Sequence, residues 1–66
     1  MLMTNEEWLE ELYMLSAQIG KFNQIHDKVD ELKKKHRDLT LIEVTELAYI
    51  ELKREYEEEI LKTLYD

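Results

Sequence analysis

From residue 8 onward the apolar positions fall into step. Trp8, Leu12, Leu15, Ile19 and Phe22 are spaced by four, three, four and three residues, the pattern that lines one seam of a coiled-coil helix. The stripe continues to Val29 through His26, or through Ile25 with a small phase slip, and Leu32 extends it. It then runs into Lys33-Lys34-Lys35-His36-Arg37, cationic residues of the kind that suit a helix C-terminus. A second periodic segment follows. Leu41, Ala48, Leu52, Tyr56 and Ile60 form one stripe, broadened by Ile42 and Tyr49. Val44, Leu47, Leu61 and Tyr65 lie on another face, interrupted by Arg54 and Glu58, with Ile50 between the two.

Start signals precede both segments. Thr4-Asn5-Glu6-Glu7 has the form of a capping box, with Met3 and Trp8 at the staple positions. Thr40-Leu41-Ile42-Glu43 repeats the form, with Leu39 and Val44 as its staple. The pattern predicts an all-α antiparallel hairpin of two helices, about 5–36 and 41–65, roughly 48 and 37 Å long. Gly20 opposes the first helix, because an interior glycine costs about 1 kcal/mol and glycine is the usual residue just past a helix end. The alternative is a three-helix bundle of about 5–19, 24–36 and 41–65, with Asn23 capping the middle helix. The stripe keeps its phase across Gly20, which favours the unbroken helix.

The second helix is apolar on more sides than one neighbour can cover, since packing against a single partner needs an arc of only somewhat over 100°. Two hairpins joined as a four-helix bundle would bury both faces. Composition points the same way. A chain of 66 residues makes one small domain, residues 1–66, and it holds no cysteine for a disulfide. Self-association is then the expected source of extra stability. One glycine and no proline suit helices, and 44% hydrophobic residues set the chain apart from disordered tails. The start MLMTNEEW resembles no secretion signal, and no apolar run approaches the roughly 20 residues of a membrane span. A cytoplasmic protein without direct nucleic-acid or membrane partners is expected, because the net charge is −7. In a hairpin, residues 1–17 and 51–66 would share one end and carry that whole charge, while residues 18–50 balance to zero.

Catalytic chemistry finds little support. Ser16 is the only serine, a single glycine rules out phosphate-cradling loops, and no cysteine is present. His26 and Asp30 share a helical face, but two ligands do not make a metal site; His26 reads as a seam residue and His36 as part of a helix end. Glu7-x-x-Glu10 and Asp27-x-x-Asp30 resemble the paired acidic motifs of MazG-type all-α nucleotide pyrophosphatases, with Asp27 where that family has Glu. The resemblance implies magnesium held between helices. LTLIEVTEL (residues 39–47) resembles the start of the second helix in the helical hairpins that dephosphorylate response regulators. That family's Ser and Asp, four residues apart, correspond to Ala48 and Leu52, so its activity is not implied.

The expectation is therefore no enzyme, no catalytic residue, no cofactor and no metal. A non-enzymatic interaction module, a small acidic regulator, adaptor or inhibitor, fits best, with itself and another protein as partners. The candidate contacts are whichever of Val44, Leu47, Ile50, Leu61 and Tyr65 stay exposed, together with the carboxylates Glu55, Glu57, Glu58 and Glu59. An acidic nucleic-acid mimic that blocks a DNA- or RNA-binding protein is the alternative.

Overall fold

In the computed structural model the chain is described over residues 4–65, Tyr65 by its backbone alone. Three helices and no strand occur among the described residues: α1 (Asn5–Gln18), α2 (Phe22–Lys35) and α3 (Leu41–Tyr65). The expected unbroken first helix is thus corrected to two, and the three-helix alternative describes the chain.

Gly20 makes the break. Its φ is +73°, a left-handed conformation that glycine adopts without the Cβ penalty of other residues. The Gly20 N–H donates to the Ala17 carbonyl (3.0 Å) and the Lys21 N–H to the Ser16 carbonyl (2.8 Å). This pair of bonds is the Schellman arrangement, which satisfies carbonyls that a helix end leaves free. α2 starts immediately, at Phe22, with Lys21 at its cap position and no side-chain capping bond. Asn23 lies inside the helix and does not cap it.

The other ends follow the sequence closely. The Glu7 N–H donates to Thr4 Oγ1 at 3.2 Å, while Met3, the other half of that expected staple, lies outside the described residues. At Thr40 the box is reciprocal. The Glu43 N–H donates to Thr40 Oγ1 (3.3 Å), and Glu43 Oε1 accepts from the Thr40 N–H (3.2 Å) and hydroxyl (2.9 Å). Leu39 packs half-buried against the core that contains Val44. α2 ends in Lys33, Lys34 and Lys35, and the His36 N–H closes it on the Leu32 carbonyl.

Contacts between helices fix their directions. Trp8 meets Glu46 and Lys21 meets Glu59, both 38 positions apart, so α1 runs alongside α3 in the same sense. α2 runs against them, as Lys21 beside Glu59 and Lys28 beside Glu51 and Glu55 require. The core is built from Leu12 of α1, Ile25, Val29 and Leu32 of α2, and Val44, Ala48 and Leu52 of α3. Ser16 and Thr45 are also fully buried. Each hydroxyl donates to the carbonyl four residues earlier, at 2.9 and 2.7 Å, which meets its hydrogen-bonding need inside the helix. No helix is long and apolar enough to cross a membrane among the described residues.

α3 has 25 residues against 14 in each of the others, or about 37 Å against about 21 Å. With Lys21 abreast of Glu59, the segment from Ile60 onward extends past the α1–α2 turn. This topology also corrects the expected pooling of charge. By the same offset, Glu6, Glu7, Glu10 and Glu11 stand beside residues 44–49, at the opposite end of the bundle from Glu57, Glu58 and Glu59.

Candidate binding surface

The expected contact residues separate into buried and exposed sets. Val44 is completely buried and belongs to the core, so it is removed from the candidate surface. Leu47, Ile50 and Leu61 are 38, 50 and 51% exposed. The Tyr65 side chain lies outside what is described. Leu64, not anticipated from the sequence, is 72% exposed. Its three-residue spacing from Leu61 was the available signal, because that step continues the same helical face. At 100° per residue, Ile50, Leu61 and Leu64 lie on the side of α3 opposite Val44, Ala48 and Leu52, while Leu47, about 60° from Val44, stands at the edge of that outer face. An α-helix that fills the core with one face has thus kept large apolar side chains on the other.

The carboxylates also divide. Lys21 Nζ approaches Glu59 at 3.0 Å, and Lys28 Nζ lies 3.4 Å from Glu51 and 3.8 Å from Glu55. Glu57 and Glu58 are exposed and take part in no ion pair among the described residues. Burial is the largest single influence on the Lys28 ammonium and acts to lower its pKa. Hydrogen bonding and charge from Glu51, with the charges of Glu55 and Glu31, outweigh that effect and raise it.

Two of the shallow grooves along α3 have mainly apolar linings. One, about 280 Å³, lies between α1 and α3 and is lined by Trp8, Leu12, Glu46, Tyr49 and Ile50. On its rim Trp8 Nε1 donates to Glu46 Oε1 at 2.7 Å, a charge-assisted bond that fixes the indole. The other, about 310 Å³, lies along the projecting end and is lined by Tyr56, Glu59, Ile60, Thr63 and Leu64. Both are at the lower edge of the roughly 300–1,000 Å³ that encloses small molecules, and neither gathers convergent polar groups.

His26 does not face the bundle seam. It is exposed, stacked on Tyr13 (ring centroids 4.9 Å, 23°) and edge-on to Phe22 (5.3 Å, 87°). The three rings bridge α1 and α2. No group of three or more His, Cys, Asp or Glu is placed to hold a metal among the described residues. Ala48 and Leu52, at the positions corresponding to the phosphatase hairpins' Ser and Asp, are both buried apolar core.

What the geometry defines is a small three-helix bundle with one long helix whose outer face is uncovered. No family model, no characterised protein and no solved structure matches the chain.

Proposed function

We propose that this chain is a non-enzymatic protein-interaction module, a small acidic regulator, adaptor or inhibitor, that presents the outer face of α3 to another protein. The observation that carries the reading is the exposure of Ile50, Leu61 and Leu64 on the side of α3 turned away from the core, with Leu47 exposed at its edge. Apolar side chains at helical spacing, with Glu57 among them and Glu58 beside them, are what a helix offers to a partner groove. A cytoplasmic location accompanies this reading and rests on the sequence composition.

The acidic-mimic reading is less well supported, because Glu55 and Glu59 each lie within ion-pair distance of a lysine of the chain itself, Lys28 and Lys21. Retention of host proteins on the immobilised chain separates the two readings. Under the first, a partner stays bound at about 0.5 M salt, where exposed charge pairs are strongly screened, and is lost from a Leu47→Glu/Leu61→Glu variant. A partner released by salt and indifferent to those substitutions would favour the mimic. A partner indifferent to both would rule out the α3 face.

A further inference from the structure

Leu47, Ile50, Arg54, Glu57, Leu61 and Leu64 are separated by three, four, three, four and three residues. This is the alternating spacing of a coiled-coil seam, and all six are exposed. Among the described residues nothing covers the seam, which spans about 26 Å of helix. Its ends are apolar and its two central positions carry opposite charges. Neither Arg54 nor Glu57 joins an ion pair among the described residues.

We propose that α3 pairs antiparallel with α3 of a second copy of this chain, about a two-fold axis crossing the seam between Arg54 and Glu57. The proposal rests on reading the outer α3 face as a binding surface: in the free chain a second copy occupies it, and another protein binds there by displacing that copy. About that axis, Leu47 lies opposite Leu64 of the second copy and Ile50 opposite its Leu61. Arg54 lies opposite the second copy's Glu57, and the symmetry repeats every pair. The apolar ends thus meet apolar ends, and two ion pairs close the middle.

The charges also reject the competing arrangements. A parallel pair sets Arg54 against Arg54 and Glu57 against Glu57. Sliding the antiparallel pair by one heptad in either direction sets leucine or isoleucine against the charged positions. Only one register satisfies all six residues, and polar seam positions commonly fix register in this way at some cost in affinity. Lys53 and Glu58 flank the seam and each approaches its own counterpart across the axis, which weakens the pair further. A small interface of this kind belongs with weak, transient associations.

Charge reversal tests the arrangement without touching the core. Sedimentation of the wild-type chain up to high micromolar concentration should show a monomer–dimer equilibrium. Arg54→Glu and Glu57→Arg should each weaken it by roughly tenfold or more, because each brings like charges together twice. An equimolar mixture of the two variants should recover the dimer, since every central contact is then between opposite charges. The double variant should recover it alone. Far-UV circular dichroism confirms that each variant remains folded. A wild-type monomer throughout that range would overturn the proposal. So would a dimer indifferent to both reversals, or one that mixing fails to restore. If the chain is monomeric yet Leu47→Glu/Leu61→Glu still abolishes capture of another protein, the interaction reading stands and self-pairing alone falls.

Discussion

Replacing Gly20 with alanine separates the observed fold from the one the hydrophobic stripe suggests, because the two predict opposite signs. Gly20 has φ +73°, and a Cβ built on it meets nothing within 4 Å. The substitution therefore incurs no collision, only the cost of placing an L-residue in the left-handed region, about 1–2 kcal/mol. Alanine also narrows the unfolded ensemble, which offsets about 0.4–1 kcal/mol. The net expectation is destabilisation by about 1 kcal/mol. For a domain of this size that lowers the melting temperature by about 4–8 °C. Were residues 5–36 one helix, Gly20→Ala would instead stabilise by about 1 kcal/mol, the ordinary gain of alanine over glycine in a helix interior. Thermal and urea unfolding followed by circular dichroism measure the sign directly. Chemical synthesis of so short a chain also allows D-alanine at position 20. That residue favours positive φ and should stabilise the protein. An L-alanine variant as stable as wild type, or more so, would refute the Schellman turn and the three-helix topology built on it.

Three further substitutions probe other parts of the structure. Val44→Ala should cost about 2 kcal/mol in unfolding free energy as a core truncation; a variant of unchanged stability that lost a partner would return Val44 to the surface. Thr40→Ala removes the hydroxyl at the centre of the α3 capping box and should cost about 1 kcal/mol, whereas an undiminished urea midpoint would show that the cap is dispensable. Lys28 has a raised pKa in the folded state, so its stabilisation is complete below the unfolded lysine value of about 10.4 and is lost as pH rises through the folded value. The advantage of wild type over Lys28→Met should therefore shrink as unfolding is measured at increasingly alkaline pH; a constant or growing advantage would contradict the ion pairs with Glu51 and Glu55.

The sequence revealed most where local chemistry alone decides the structure. Thr40 and Glu43 need only each other, and the predicted bounds of the last helix, 41–65, coincide with α3. The stripe from Trp8 to Phe22 misled because side-chain periodicity does not register a backbone that turns left-handed for a single residue. Phe22 is in phase with Ile19 along the chain, yet it begins a new helix and stands 46% exposed beside Tyr13 and His26. The true α2 core positions, Ile25, Val29 and Leu32, follow their own register. Ser16 and Thr45 escaped notice as core for a related reason. A hydroxyl reads as polar in a hydropathy pattern, but one bonded to its own helix four residues back presents mainly a small, packable surface. The exposed apolar face of α3 is half legible in the sequence. Leu47, Ile50 and Leu61 stand out as surplus apolar residues, whereas Arg54 reads in the hydropathy pattern as an interruption of that face.

That interruption is what gives the length of α3 a physical meaning. Among the described residues, α3 contributes to the core only through its N-terminal half, ending at Leu52, and the last cross-helix ion pair is Lys21 to Glu59. Ile60, Leu61 and Leu64 lie beyond that tie and remain exposed, so for an isolated monomer they add apolar surface without adding packing. A core of seven buried apolar side chains is thin for a domain whose stability is a small difference between large terms. Unfavourable surface on its longest helix is therefore hard to reconcile with the monomer alone. Antiparallel pairing accounts for the geometry. The overhang of one copy reaches back along the other, setting Leu61 and Leu64 against Ile50 and Leu47, which stay exposed on the half of α3 that does pack. The helix must outrun its own bundle for this to happen, because a shorter α3 would leave Leu47 and Ile50 of the second copy without partners. Arg54 and Glu57 then sit near the middle of the seam, where opposite charges settle both direction and register. On this reading the projecting end of α3 covers the neighbouring copy's exposed face, and its own outer face is covered in return.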